Sequence, residues 1–315
     1  MDQQDYQYFR LERVADGVFA ALAKRDAGTV ANAGIVDLGE SVLVIDSFML
    51  PQAARELLKT VDRLLGKPVR YLVNTHAHDD HFIGNYVFPA ETRIISTSRS
   101  RELIAEYGEE LPEAIAETAN YVTELKQQQA EPVSAADRHR IEQSLTRFNR
   151  YLEAADEIEI RLPDLIFDTR LAIHGSQRRV EVIACGAGHT ESDAVVYLPD
   201  DRIVFSGDLV LVNTQPVLMD SDPESWRGTL DKIEELDFTA LVPGHGPVGD
   251  KSAVAQVRSY LDVMEDLVRQ VISDGATVDD LLKHPVPAEF GSWSGGAYPY
   301  NLRFLFERLQ AADLE

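Results

Sequence analysis

Thr75-His76-Ala77-His78-Asp79-Asp80-His81 packs three imidazoles and two carboxylates into the six positions from His76 to His81. No packing requirement produces such a cluster. The residues before it, Val69-Arg70-Tyr71-Leu72-Val73-Asn74, alternate and are rich in β-branched and aromatic side chains, so they read as a strand. Phe82-Ile83-Gly84-Asn85 open a new element. The cluster therefore belongs to the turn at the C-terminal end of a strand, where function concentrates in α/β folds. Extended geometry at His76 and His78 would point both rings to one side. Asp80 and His81 lie past the bend and face a second point nearby. A turn of this kind can hold two metal ions side by side.

Upstream, Val18–Leu22, Ala33–Leu38 and Ser41–Asp46 read as short strands, with Gly39-Glu40 suiting a hairpin turn between the last two. Ala54, Leu57, Leu58, Val61, Leu64 and Leu65 then make the apolar stripe of a helix. Asp46 ends its strand just as His76 follows another. It suits either a helix N-cap or a partner that orients a ligand histidine. Asp79 suits either a turn or the same orienting role.

Downstream of the strand Arg93–Thr97, turn punctuation thins and strands vanish from about 98 to 163. Ile141, Leu145, Phe148, Leu152 and Ala155 form a narrow helical seam. Leu103, Ile104, Tyr107, Ile115, Val122 and Leu125 suggest one or two helices before it, separated near Pro112. The expectation is one domain over residues 1–315 with a helical insertion at about 98–163. That insertion is expected to form part of a pocket wall, and its seam to favour a homodimer.

Strands resume at Leu165–Phe167, Leu171–Ile173 and Arg179–Ala184, and Gly186-Ala187-Gly188-His189-Thr190 follows the last of these. Ala194–Leu198 and Arg202–Ser206 read as further strands, the second leading into Gly207-Asp208. Ala240-Leu241-Val242 leads into Pro243-Gly244-His245-Gly246-Pro247. Five of the eight histidines thus fall in strand-end loops, leaving His139, His174 and His284 elsewhere.

The composition restricts what such a site serves. A formal charge of −23 argues against nucleic-acid and anionic-membrane partners. A metal site supplies its own local positive charge and is not deterred. The single cysteine, Cys185, excludes an internal disulfide framework and is most simply a small strand-end residue. The polar first residues lack the apolar core of a signal peptide, and no apolar run is long enough to span a bilayer, so a cytoplasmic location is expected.

The order Asp46, His76-x-His78-x-Asp80-His81, His189, Asp208, His245 resembles the motif series of the metallo-β-lactamase-fold superfamily. The resemblance covers nearly the whole chain apart from the insertion. It implies an α/β fold, a four-layer αββα sandwich with metals at one edge between two sheets. It also implies that His76, His78 and His189 bind one ion and that Asp80, His81 and His245 bind a second. Asp208 would bridge the two, and Asp46 and Asp79 would support the ligands.

Two Zn2+ per chain suit these donors, although an all-nitrogen-and-oxygen set admits iron or manganese. The implied activity is hydrolysis of an ester, lactone, thioester or amide carbonyl, β-lactams included, in a small-molecule substrate. Asp80 and Asp208 would be its catalytic carboxylates, acting on a metal-bridging hydroxide. Asp208 stands where some β-lactamases carry cysteine, a departure that matches the wider hydrolase family better. The alternatives are a mononuclear iron sulfur dioxygenase of the same fold and a metal-binding scaffold without catalysis. Phe48-Met49-Leu50, Trp293, Tyr298 and Tyr300 are the candidate pocket walls.

Overall fold

Alternating apolar residues organise the N-terminal half into a meander of β1 (Gln3–Asp5), β2 (Phe9–Ala15), β3 (Val18–Ala23), β4 (Ala33–Asp37) and β5 (Val42–Ile45). The computed structural model describes residues 3–312. These five strands pair antiparallel in sequence order. The sequence reading missed β1 and β2. In β2, Phe9 and Leu11 are buried while Arg10 and Arg13 are exposed, an alternation hidden among charged neighbours.

From β5 the chain crosses over by α1 (Pro51–Leu65) to the parallel strand β6 (Val69–Val73). Pro51 presets the first turn of α1, and Gly66, at φ 60°, ends it in the left-handed conformation that glycine adopts without strain. Its stripe of Ala53, Ala54, Leu57 and Val61 is buried against the sheet. Strands β7 (Arg93–Thr97) and β8 (Leu165–Phe167) extend the sheet in parallel to eight strands.

The second sheet holds five strands, β9 (Arg170–His174), β10 (Arg179–Gly186), β11 (Asp193–Leu198), β12 (Ile203–Gly207) and β13 (Ala240–Pro243), in spatial order β13-β12-β11-β10-β9. Between the sheets lies one core, with Val36, Leu43, Ile45 and Val73 facing Val182, Val196, Phe205 and Val242. Gly34 permits that contact, since a Cβ there would lie 2.5 Å from the Phe205 ring. Outside the second sheet pack α5 (Pro223–Glu234), α6 (Ser252–Ser273) and α7 (Tyr298–Ala312), around Trp226, Val257, Met264 and Leu305. The layers are thus helix, sheet, sheet, helix.

The insertion is a helical pair, α3 (Ser98–Ala130) and α4 (Ala135–Ala154). The expected break at Pro112 does not occur, and α3 runs through it for 33 residues. A proline removes one backbone bond, but here Ile104, Tyr107, Leu111 and Ile115 keep their neighbours on both sides of it, so packing overrides the local penalty. The seam residues Ile141 and Leu145 close on Val122 and Leu125 of α3. That seam is filled from within the chain, so it does not require a second subunit. No helix of the described residues is long and apolar enough to cross a membrane.

Candidate metal centre

Strand direction brings the site together. Strands β5 and β6 run parallel in the first sheet, and β10, β12 and β13 share one direction in the second. Their C-terminal ends meet at a single edge of the sandwich. The β6 end delivers His76 to His81, with α2 (Asp79–Phe82) starting inside the motif. His189 follows β10, Asp208 follows β12 and His245 follows β13.

Two adjacent donor groups result. His76, His78, His189 and Asp208 offer ligand atoms all within 4.8 Å of one another, and so do Asp80, His81 and His245. Asp208 also reaches the second group, at 3.4 Å from His81 Nε2 and 3.0 Å from His245 Nε2. His245 Nε2 lies 3.4 Å from Asp80 Oδ2. Gly244 makes this convergence possible, because a Cβ there would collide with Asp208 Oδ1.

Buried polar groups normally have partners, yet His76 Nε2, His81 Nε2, His189 Nδ1 and Asp208 Oδ1 have none. All four residues belong to the two donor groups, an arrangement that costs stability unless a cation fills it. The residues therefore fit metal binding, with imidazole and carboxylate donors of the kind transition metals take.

The far side of four imidazoles is fixed. His81 Nδ1 lies 2.8 Å from Asp46 Oδ2, which also accepts from Thr75 Oγ1, while Asp46 Oδ1 accepts from Thr75 N. Thr75 Oγ1 lies 3.0 Å from His76 Nδ1, so one buried carboxylate steadies two rings. His245 Nδ1 meets the Val30 carbonyl at 2.7 Å. His78 Nε2 meets Asp220 Oδ2 at 3.1 Å. Such contacts fix which ring nitrogen is free to bind. Beneath the turn, Ser47, Asn74 and Asn85 form a buried network of side-chain amide and hydroxyl bonds. On either side of Ser47, Asp46 and Phe48 adopt left-handed φ values of 57° and 66°, a strained conformation for phenylalanine.

Electrostatics divide the histidines. Burial, with neighbouring His81, pushes His76 well below its ordinary range, and burial with His78 lowers His189 to about 3. Both rings are therefore neutral, as a ligand must be. At His81 burial also opposes charge, but Asp80, Asp208 and Asp46 outweigh it and raise its pKa well above the ordinary value. Burial raises the Asp208 carboxyl, yet His245 and His81 prevail and hold it far below the usual range. A proton on His81 answers negative charge that a dication would otherwise answer.

Asp79 lies outside both donor groups, within electrostatic reach of Arg147 of α4 and of Tyr107, with burial and Asp80 raising its pKa. His139 is exposed on α4, outside the two donor groups. Of the expected pocket walls, Phe48, Met49 and Leu50 are buried in the helix-side core, and Trp293 stacks on Tyr260. Tyr298 is buried with its hydroxyl on the Pro285 carbonyl, and Tyr300 alone of these is largely exposed. Asp220 escaped the sequence reading, since 142 residues separate it from His78 and its acidic turn carries no local signature.

Comparison with known proteins agrees with this geometry. The family model of the metallo-beta-lactamase superfamily matches residues 27–245, which include every residue of both donor groups. A "Beta-lactamase-like protein 2 homolog" of Caenorhabditis elegans is 35% identical over 85 residues, covering 27% of this chain and 28% of that protein. A "Linear primary-alkylsulfatase" of a Pseudomonas species is 22% identical over 267 residues, covering 79% of this chain and 48% of that protein. The chain thus spans about half or less of the length of these two relatives. A solved metallo-beta-lactamase from Pontibacter korlensis has the same fold, with a TM-score of 0.59 at 23% identity over 81% of this chain and 99% of that one. The motif order, the two-sheet sandwich and the family match together establish that this chain belongs to the metallo-β-lactamase superfamily.

Proposed function

We propose that the protein is a binuclear metal-dependent hydrolase of small molecules carrying an ester, lactone, thioester or amide bond. One observation carries this reading: two donor groups share Asp208, and within them His76 Nε2, His81 Nε2 and Asp208 Oδ1 are buried without hydrogen-bond partners. When bound, two zinc-class ions lower the pKa of a shared water to near neutrality and polarise the scissile carbonyl. His76, His78 and His189 would hold one ion, Asp80, His81 and His245 the other, and Asp208 would lie between them. Asp46 keeps the His81 proton on Nδ1, leaving Nε2 free to bind. The named activity of the Pseudomonas relative adds sulfate esters to the substrates to be screened.

Elemental analysis of protein purified without chelator tests the reading. Two zinc-class ions per chain are expected, and Asp208→Asn should lose at least one of them and cut turnover by roughly 100-fold or more. A single iron per chain with oxygen-dependent thiol oxidation would replace the hydrolase by the dioxygenase. Two bound ions with no turnover across the screened esters, lactones, thioesters, amides and sulfate esters would leave a metal-binding scaffold.

A further inference from the structure

Two arginines beside the motif turn serve no internal partner. Arg25 lies in a short 3-10 turn, Arg25–Ala27, and Arg147 lies on α4. The turn and helix touch closely: a Cβ on Gly28 would lie 3.0 Å from Arg147 Cα. Arg25 lines a surface cavity with Val30, whose carbonyl holds His245 Nδ1, and with Gly246 next to that histidine. It is within electrostatic reach of Arg147 and Asp80, and Arg147 is within reach of Asp79. Among the described residues neither guanidinium forms a hydrogen bond or ion pair, and Arg147 Nε is buried without a partner. Neighbouring basic residues do find partners, Lys24 on Asp5 and Arg150 on the Tyr8 hydroxyl. The Arg147 guanidinium instead lies 4.1 Å from the Phe148 ring, a stacking contact that leaves its edge free.

We propose that Arg25 and Arg147 form an anion subsite at the mouth of the metal centre, selecting substrates that carry a carboxylate, sulfate or phosphate a few bonds from the scissile group. This rests on the hydrolase reading above. The planar guanidinium fork suits such oxyanions, and two of them side by side repel unless an anion lies between. The plainer alternative is that the arginines only offset Asp79 and Asp80. Neither comes within ion-pair distance of those carboxylates, and Asp80 is assigned to a metal ion. Burial and the neighbouring Arg147 both weaken the charged form of Arg25, a cost that a bound anion would relieve. The partly exposed Tyr121 ring packs edge-on against Phe148, the ring on which the Arg147 guanidinium lies.

Two measurements test it on the full chain with its metal content recorded. In calorimetric titration with inorganic sulfate at constant ionic strength, Arg25→Gln/Arg147→Gln should weaken binding about tenfold or more relative to wild type. The Lys/Lys pair should recover only part of the loss, because it restores charge without the fork. The ratio of kcat/KM for mono-4-nitrophenyl succinate over that for its methyl ester should fall by a similar factor in the Gln pair. If the double variant does not fold, the two single Gln variants give the same comparison. Sulfate affinity within twofold of wild type in folded variants would overturn the subsite. If wild type hydrolyses neither ester, the hydrolase reading fails for this class, and the sulfate titration alone decides the subsite.

Discussion

Asp46→Asn is the most informative single change, because it keeps shape and removes only charge and one acceptor. Asn tolerates the left-handed backbone at this position, φ 57°. Its carbonyl oxygen can still accept from Thr75 N, now 2.8 Å from Asp46 Oδ1. Its amide nitrogen, however, replaces Oδ2, which faces His81 Nδ1 at 2.8 Å and Thr75 Oγ1 at 2.9 Å. Donor would then oppose donor unless His81 moves its proton to Nε2, the atom that faces Asp80 and Asp208. A ring protonated there cannot ligate through that atom.

Loss of a charge-assisted bond costs about 1.5–3 kcal/mol, and loss of a ligand's orienting partner weakens metal binding by about 10–100-fold. The expected outcome is therefore one ion bound as in wild type and a second weakened by about 1.4–2.7 kcal/mol. Competition against a chromophoric chelator at fixed pH measures it, with circular dichroism of the chelated form as the control for folding. Two ions bound within twofold of the wild-type affinities would refute the idea that Asp46 sets the His81 tautomer.

The chelated protein should lose stability as pH falls from about 6.5 towards 3, because in the unfolded chain His189, like His76, takes up a proton that the folded ring refuses. That group contributes up to about 1.4 kcal/mol per pH unit in this window, and urea midpoints at pH 6.5 and 5 would read it. His81 acts in the opposite sense, its stabilisation being full below the ordinary histidine value and lost as pH rises through its raised one. A flat profile between pH 5 and 6.5 would contradict the His189 assignment. Cys185, buried and pushed up to about 12, should resist thiol reagents until the protein unfolds. Native labelling at the rate of a free cysteine would show that β10 opens at its end.

Much of the site was legible because metal chemistry leaves dense local marks. His76, His78, Asp80 and His81 crowd one turn, and glycines precede His189 while glycine and proline flank His245, where the backbone must bend. Strand ends are readable from apolar runs, so the edge shared by β6, β10, β12 and β13 followed. What was not legible depended on long-range placement. Asp220 meets His78 only through the tertiary fold, and Arg25 comes within electrostatic reach of Arg147 only because α4 settles on the 25–28 turn. Pro112 misled for a related reason. A local helix breaker was overruled by side chains that pack on both sides of it. Strand β2 hid because charged residues occupy its outer face.

His78 and His189 stand 111 residues apart in the chain, yet their ring nitrogens lie 2.9 Å from each other. An ion held jointly by them would close a loop of that length, much as a cross-link does. For a loop of about 100 residues, the chain-entropy model assigns such a closure about 4.7 kcal/mol at 25 °C. The intervening segment includes the whole insertion, so the tie would also limit how far α3 and α4 can drift from the sandwich as the protein opens. Metal loss in this architecture would loosen the connection between the two sheets, and not merely empty a reaction centre.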